Sequence, residues 1–320
     1  MRIYIGLLLT AILAGCTVED GVDNGKVQSE AIEMQGFKAV IEGSSFIAGT
    51  RGDVTALDNA NAGRTEFASG DHIVFTNIQR TANSIDTYTY SDIDFSYNGS
   101  TWSKETVSPT NLYWSDATSG HTFKAYSLPQ GSFDWAESEG SYIGTLGTGD
   151  DVDYSTLEAL KNEDLLIAYS TNIAPSTSGP TISFHHALSS VRVVVTINDF
   201  PEGATVTDMM LLHQPTKYVW DQTSWGVSPV TTDQIRKDLK LYIPTPAGVS
   251  NVFTFYGITT PQIKTYIDNQ EDPYQKVELT FKVNYTESST AKTQNYSISQ
   301  SNVYFEAGYN TTITIRASKN

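Results

Sequence analysis

The 320-residue sequence is poor in cysteine and in positive charge. Its single cysteine, Cys16, excludes an intrachain disulfide and any zinc or iron–sulfur site built from several cysteines. The 20 Lys and Arg residues are outnumbered by 36 Asp and Glu residues, which gives a net charge of −16. Such a chain repels a phosphate backbone and an anionic lipid surface, so nucleic acid is excluded as a partner.

The chain also lacks an apolar run long enough to span a membrane. Its longest run, residues 3–13, follows the positive residue Arg2 and falls short of the ~20 residues that a transmembrane helix needs. This is the shape of a secretory signal. The residues at its end, Leu13-Ala14-Gly15-Cys16, resemble a bacterial lipobox. We therefore predict a lipoprotein signal peptide over residues 1–15 and lipidation of Cys16; the alternative is an ordinary signal peptide followed by a chance cysteine.

Helical periodicity is nearly absent from the rest of the chain. Residues 16–35 are polar, acidic and aperiodic, and they predict a flexible tether in which Glu19-Asp20 resembles a surface-export signal. Beyond the tether apolar and polar residues alternate, which predicts strands with one buried face. The first strand places Phe37, Ala39 and Ile41 on one face. Further strands are predicted at 72–75, 93–97, 121–126, 165–169, 191–197, 206–212, 239–243, 252–256, 277–285 and 309–316.

The length left after the signal suggests two domains at ~150 residues each, with one large sandwich as the alternative. Many short strands separated by Gly, Pro, Asn and Ser predict an all-β sandwich architecture. We place an N-terminal domain at 36–187 and a C-terminal domain at 188–320. The turn residues 199–203 predict a hairpin between the strands on either side. Two short helices are expected, one capped by Ser155 and one over residues 233–239.

No catalytic motif is present, and the five histidines do not form one. The sequence has no phosphate-binding loop, no zinc-protease motif and no nucleophile elbow. His185 and His186, with His213, could suggest a metal site, but adjacent strand residues point to opposite faces, which favours structural histidines. The acidic residues 150–153 could suggest calcium, yet the glycine and glutamate that a calcium loop requires are missing. We therefore predict no catalytic residue, no metal site and no cofactor.

Several short motifs, none specific alone, resemble the fimbrillin family of lipoprotein-derived type V fimbrial subunits in their order and spacing. The resemblance extends over nearly the whole chain. Its motifs are Leu13-Ala14-Gly15-Cys16, Thr50-Arg51-Gly52, Gly70-Asp71-x-Ile73, Tyr97-x-Gly99-x-x-Trp102, Trp114, Phe123-x-Ala125-Tyr126, Asp164-Leu165-Leu166-x-Ala168, Phe184-x-His186-Ala187-Leu188-Ser189-x-Val191 and Glu306-Ala307-Gly308-Tyr309.

The resemblance implies two tandem β-sandwich domains, transthyretin-like or Ig-like, with one or two short helices. It also implies export as an outer-membrane lipoprotein exposed at the cell surface, removal of an N-terminal strand by a trypsin-like protease, and assembly into a fimbrium by donor-strand exchange. The implied partners are other fimbrial subunits, the lipid anchor, and a host or bacterial surface ligand. Two alternatives are a surface lipoprotein that binds glycans through exposed aromatics and, with less support, a sandwich hydrolase.

The residues that would carry this function lie near the two ends of the chain. The candidate processing site is Arg51-Gly52, in a glycine- and serine-containing segment after the first strand, and Arg64 is the second candidate. Arg51 also begins an Arg-Gly-Asp tripeptide, which integrins recognise. If Arg51 is not cut, the protein would be a tip or anchor subunit. The candidate donor strand presents Tyr309, Thr311, Ile313 and Ile315 on one face; the alternative is that it closes its own C-terminal sandwich.

Overall fold

A computed structural model describes most of the chain. The described residues are 32–34, 36–42, 47–48, 63–80, 93–114, 120–128, 136–138, 141–147, 152–221, 226–229, 236–244, 250–262, 277–301 and 303–319. Cys16, Arg51 and Gly52 lie outside them. Within the described ranges, no helix is long and apolar enough to cross a membrane.

The described part of the chain contains twenty strands and one short helix, so the fold is all-β, as predicted. The strands are β1 (Lys38–Ile41), β2 (Ile47–Ala48), β3 (His72–Arg80), β4 (Ile93–Tyr97), β5 (Trp102–Lys104), β6 (His121–Leu128), β7 (Ala136–Ser138), β8 (Ser141–Thr145), β9 (Val152–Asp153), β10 (Leu166–Ile173), β11 (Thr181–His186), β12 (Ser189–Asn198), β13 (Thr205–Pro215), β14 (Lys217–Asp221), β15 (Gly226–Pro229), β16 (Arg236–Lys240), β17 (Val252–Thr259), β18 (Val277–Glu287), β19 (Thr290–Gln300) and β20 (Tyr309–Ser318). The helix is α1 (Leu157–Asn162).

The N-terminal part is built on one seven-stranded sheet in the order β1-β11-β10-β6-β3-β4-β5. β1 pairs in parallel with β11, from Lys38 opposite Thr181 to Ile41 opposite Phe184, and it forms one edge of the sheet. The first core packs on this sheet, and its buried residues are Met34, Ile73, Phe75, Ile93, Phe95, Leu112, Trp114, Phe123, Ala125, Leu166, Ala168, Ile182 and Phe184.

The C-terminal part contributes two facing sheets with a shared core. One has the order β17-β12-β20-β2 and the other the order β19-β18-β13-β16-β9; a third sheet, β15-β14-β8-β7, lies beside them. The strand predicted most plainly, β18, buries Val277, Leu279, Phe281 and Val283 in this second core, as the alternation requires. Both β12 and β13 also supply residues to it, so the two sheets bury their apolar faces against each other.

The predicted hairpin between β12 and β13 is wrong. β12 pairs with β17 and β20, whereas β13 pairs with β16 and β18. The chain does reverse at the predicted turn, where Asp199 and Gly203 adopt positive φ of 62° and 83°. The reversal carries the chain from one sheet to the facing sheet, where β13 buries Val206, Met209 and Leu211 in the shared core.

The helix predictions need two corrections. The helix α1 is capped by Thr156, one residue later than predicted. The Thr156 hydroxyl accepts a hydrogen bond of 3.0 Å from the backbone N–H of Ala159. The second predicted helix is wrong where the structure describes it: Arg236–Lys240 is strand β16. Leu239 is fully buried there and lies opposite Leu211 of β13, so burial in the sheet prevails over local propensity.

The two cores interleave along the sequence. Residues before position 187 that pack into the second core include Leu146, Tyr154, Leu160 and Leu165, whereas Leu166, one position later, belongs to the first. The division into 36–187 and 188–320 therefore stays a prediction, and the segment from β8 to α1 contributes to the C-terminal core.

Candidate functional site

The edge groove occupied by β1 is the first part of the candidate site. β1 hydrogen-bonds β11 on one side only among the described strands, and the N–H of Lys38 donates to the carbonyl of Pro180 at 2.8 Å. The chain enters this edge through a close backbone contact at Gly179, where an added Cβ would lie 1.7 Å from the carbonyl oxygen of Gly36. Gly179 also has a φ of 78°, so only glycine fits this entry point.

Phe37 fills the groove just before β1. Its ring makes edge contacts with Phe75 and Phe95, at centroid distances of 5.1 and 4.7 Å, and stacks on Trp102 at 5.3 Å. Ala39 and Ile41 pack against the same core from the following alternate positions, as predicted for the first strand. The pattern that fits the groove is therefore an aromatic residue, a small residue and a branched aliphatic residue at every second position.

A cleft of about 670 Å³ runs beside β1 and is lined by aromatic side chains. One of these side chains, Trp102, already packs against two rings within the protein: Tyr97 and Phe37 lie 4.8 and 5.3 Å from the indole and are inclined to it by 30° and 27°. Over the described ranges, Tyr169 is the one exposed aromatic side chain, at 52%. Flat sugar-binding platforms need exposed aromatic faces in rows, so the described surface gives the glycan alternative no support.

Arg64, the second candidate processing residue, lies in the interior. It is 4% exposed, and its guanidinium donates to the carbonyl oxygens of Ser127 and Asp164 at 3.0 and 2.8 Å. Its backbone N–H also donates to the Asp164 carboxylate at 2.6 Å, and Asp71 lies 3.6 Å from the guanidinium. A protease that needs an extended, accessible arginine cannot engage this residue while the fold is intact.

Asp164 contacts both Arg64 and His186 at the boundary between the two cores. Fully buried, Asp164 contacts Nδ1 of His186 at 2.8 Å. The preceding residue of the strand, His185, is exposed and lies 3.5 Å from Glu42, so the two histidines point to opposite faces, as predicted. We call Arg64, Asp164, His186, Asp71 and Ser127 the buried polar cluster.

Burial dominates the electrostatics of this region. It lowers the pKa of Arg64, and the carboxylates of Asp164 and Asp71 oppose that shift. At the neighbouring Glu163, burial raises the pKa to about 7, although the backbone N–H of Gly147 and the charge of Lys237 act in the other direction. Sequence reasoning missed the partners of Arg64, although Asp164 and His186 both belong to motifs that carry the family resemblance.

The candidate donor strand, β20, lies inside its own sheet. It pairs in parallel with β12 over nine successive residues, and Ile313 and Ile315 are 1% and 4% exposed in the second core. Tyr309 and Thr311 lie on the same inward face with intermediate exposure. This placement is the alternative in which the strand closes its own sandwich. On its other side, β20 pairs with β2, which comes from the N-terminal segment.

The described part of the chain is thus an all-β sandwich fold with an aromatic groove at one sheet edge. The family model described as fimbrillin-like matches residues 56–320, so the chain belongs to the fimbrillin-like family. This family comprises structural and adhesive proteins rather than enzymes, and its membership implies assembly with other subunits and a cell-surface or fimbrial location.

Solved structures similar to this chain include the following three. A candidate cell adhesion protein from Bacteroides ovatus shares the fold with a TM-score of 0.53 and 18% identity, over 90% of this chain and 92% of that one. Another from Bacteroides uniformis has a TM-score of 0.46 and 19% identity, over 91% and 93%. A fimbrial protein from Bacteroides ovatus has a TM-score of 0.43 and 14% identity, over 90% of this chain and 50% of its own length. No curated protein matches the sequence.

Proposed function

We infer that the protein is a fimbrial structural subunit or adhesin that is exported as a lipoprotein, processed after Arg51 and assembled by donor-strand exchange. The observation that carries this proposal is the position of β1. β1 ends ten residues before Arg51 and forms an edge of the N-terminal sheet. Phe37, just before β1, fills the aromatic groove beside this edge. A cut after Arg51 would separate β1 from the rest of the chain. The segment would then be held only by non-covalent contacts, namely the ladder of β1 with β11, the bridge of Glu33 to Tyr113, the two-residue pairing of β2 with β20 and the ring contacts of Phe37.

Detachment of β1 would leave an open strand edge on β11 and an empty groove, which together can bind another strand. The backbone groups of β11 would lose their partners, and an open strand edge pairs readily with another chain. Phe75, Phe95 and Trp102 would also lose the ring of Phe37, and reburial of one such apolar side chain contributes about 1.5–3 kcal/mol. An incoming strand with the same aromatic, small and aliphatic pattern would recover both contributions. The donor is proposed to come from another fimbrial subunit.

The processing step predicts the N-terminus of the mature protein. We expect the wild-type surface form to begin at Gly52, and Arg51→Ala to retain β1 and remain unassembled, because its groove stays filled. N-terminal sequencing and electron microscopy of surface material measure the two effects. Arg316→Ala, which removes an exposed arginine from β20, is the matched control and should assemble normally. Wild-type fimbriae from Arg51→Ala would contradict the proposal. A mature wild-type form that begins at Thr65 would instead show that the protease cuts after Arg64, before the chain folds.

Lipidation predicts a second, separate effect. We expect Cys16→Ser to leave the protein soluble in the periplasm, because each CH₂ of the lost acyl chains would have added about 0.8 kcal/mol of membrane binding. Membrane fractionation with detergent phase partition measures this, and Thr17→Ser serves as the control. Recovery of Cys16→Ser in the outer membrane at the wild-type level would show that Cys16 is not the anchor.

A further inference from the structure

The outermost strand of one C-terminal sheet, β19, is long and regular. It stands at the end of the order β19-β18-β13-β16-β9, and among the described strands it pairs with β18 alone. The ladder runs through eleven successive residue pairs, from Val277 opposite Gln300 to Glu287 opposite Thr290, without a bulge. On its other side, β19 therefore presents a row of backbone N–H and C=O groups with which another extended chain can pair.

The other edge strands of the described chain are short or covered. β2 and β9 have two residues each, β5 and β7 have three, and β1 and β15 have four. The edge strand β17 is longer, but Tyr242 bridges Tyr256 of β17 through two backbone hydrogen bonds of 2.8 Å. Short or covered edges are the usual protection of a β-sheet protein against pairing with other chains. β19 has neither form of protection.

The sequence of β19 also lacks the residues that usually block an edge. No charged residue and no proline occurs between Thr293 and Gln300. Just before this stretch, the ammonium group of Lys292 pairs with the carboxylate of Glu287 in the same chain, so its charge is balanced within the subunit. The whole chain carries a net charge of −16, and most faces of two copies repel each other. The uncharged edge of β19 is a place where two copies can approach.

Two apolar side chains of β19 are only partly covered by the protein. Tyr296 and Ile298 pack against the second core, yet both have intermediate exposure. The ring of Tyr296 stacks on that of Phe281, with the centroids 4.8 Å apart. A strand added outside β19 would contact the uncovered sides of Tyr296 and Ile298, because alternate side chains of neighbouring strands share one face of a sheet. The edge thus offers apolar area as well as backbone groups.

We propose that the edge of β19 is a lateral interface at which two copies of this chain pair as antiparallel strands, residues 294–300 of one against residues 294–300 of the other. A second copy is the partner that fits, because two-fold symmetry brings one uncharged strand against the same uncharged strand. The interface goes beyond the proposed function, since it uses neither the groove of β1 nor processing after Arg51. It joins subunits side by side.

The side chains favour one register, with Ser297 opposite Ser297 of the second copy. In this register Tyr296 lies opposite Ile298 of the second copy, and aromatic and β-branched residues form favourable cross-strand pairs. On the exposed face, Asn295 lies opposite Ser299 of the second copy. Amide and hydroxyl groups both donate and accept hydrogen bonds, so this pair is compatible in both directions. The two-fold axis passes through Ser297, where a substitution acts on both copies at once.

Ser297→Lys tests the interface. The parent for the measurement is the full chain with Cys16→Ser and Arg51→Ala, so that neither a lipid anchor nor donor-strand exchange contributes to association. Analytical ultracentrifugation of this parent should show a monomer–dimer equilibrium. Ser297→Lys should raise the dissociation constant about tenfold or more, because two like charges then face each other across the strands. Thr314→Lys, at an exposed position of β20, makes the same charge change and should leave the constant unchanged.

A charge swap makes the test specific to this edge. Ser297→Glu alone should weaken the dimer as Ser297→Lys does, whereas an equimolar mixture of the two variants should associate again, since opposite charges then face each other. Unchanged melting temperatures verify that both variants keep the fold, because Ser297 is exposed.

Three results would overturn the proposal. The first is a parent that stays monomeric up to about 1 mM, which is weaker than a specific interface requires. The second is a dissociation constant that Ser297→Lys leaves unchanged, which would place any dimer, or an unrelated peptide, at another surface. The third is a mixture of the Lys and Glu variants that stays monomeric. Because every sample carries Arg51→Ala, none of these results depends on whether the wild-type protein is cut after Arg51.

Discussion

Asp164→Ala is expected to lower the free energy of unfolding by about 2–6 kcal/mol, because it leaves two buried hydrogen-bonding groups without their partner and each such group costs about 1–3 kcal/mol. The carboxylate accepts the backbone N–H of Arg64 on one oxygen and contacts Nδ1 of His186 with the other, at 2.6 and 2.8 Å. Alanine would leave the Arg64 guanidinium buried near a single remaining carboxylate, that of Asp71.

Urea unfolding followed by tryptophan fluorescence measures this loss. Asp153→Ala is a suitable control, because Asp153 pairs with Lys240 at 3.4 Å but both side chains are about half exposed. Exposed pairs contribute about 1 kcal/mol or less. Asp164→Asn, which keeps an acceptor for the backbone N–H of Arg64, should lose less stability than Asp164→Ala. A loss below 1 kcal/mol for Asp164→Ala would show that the buried polar cluster contributes little to stability.

The same variant bears on processing. Loosening of the buried polar cluster would expose the backbone at Arg64, and a trypsin-like protease should then cut the folded variant after Arg64 as well as after Arg51. Burial would protect Arg64 in the folded protein from the protease that is proposed to cut after Arg51, 13 residues earlier. Sequence alone could only rank the two arginines by their flanking residues.

Alternation predicted which faces of the strands are buried, but not which strands pair. β18 was predictable because five apolar residues alternate with five polar ones, and burial on one face follows from strand geometry alone. β12 and β13 were assigned to one hairpin because the turn between them is strong. The pairing partners of β12 and β13 depend instead on how the two sheets pack around a shared core. The residues around a turn do not indicate this packing.

The parts of the candidate site that escaped prediction depend on long-range contacts. Arg64 contacts Ser127 and Asp164, 63 and 100 positions away, and no local pattern brings these three together. β2 has only two residues, too few for a period.

Deleting residues 309–320 is expected to unfold the C-terminal sandwich rather than to give a folded monomer. β20 lies between β12 and β2, and it buries Ile313, Ile315 and Ala317 in the second core. Each isoleucine contributes about 1.5–3 kcal/mol by burial, and the ladder with β12 would be lost as well. Whole domains are stable by only about 5–15 kcal/mol, so this loss is enough to melt one.

Limited proteolysis and near-UV circular dichroism of the deleted protein distinguish the two roles of β20. Because β20 closes its own sheet, we expect rapid proteolysis of the C-terminal part and loss of the near-UV signal, while deletion of residues 319–320 alone has little effect. A folded monomer that cannot polymerise would instead support β20 as the donor strand, and wild-type polymers would exclude that role.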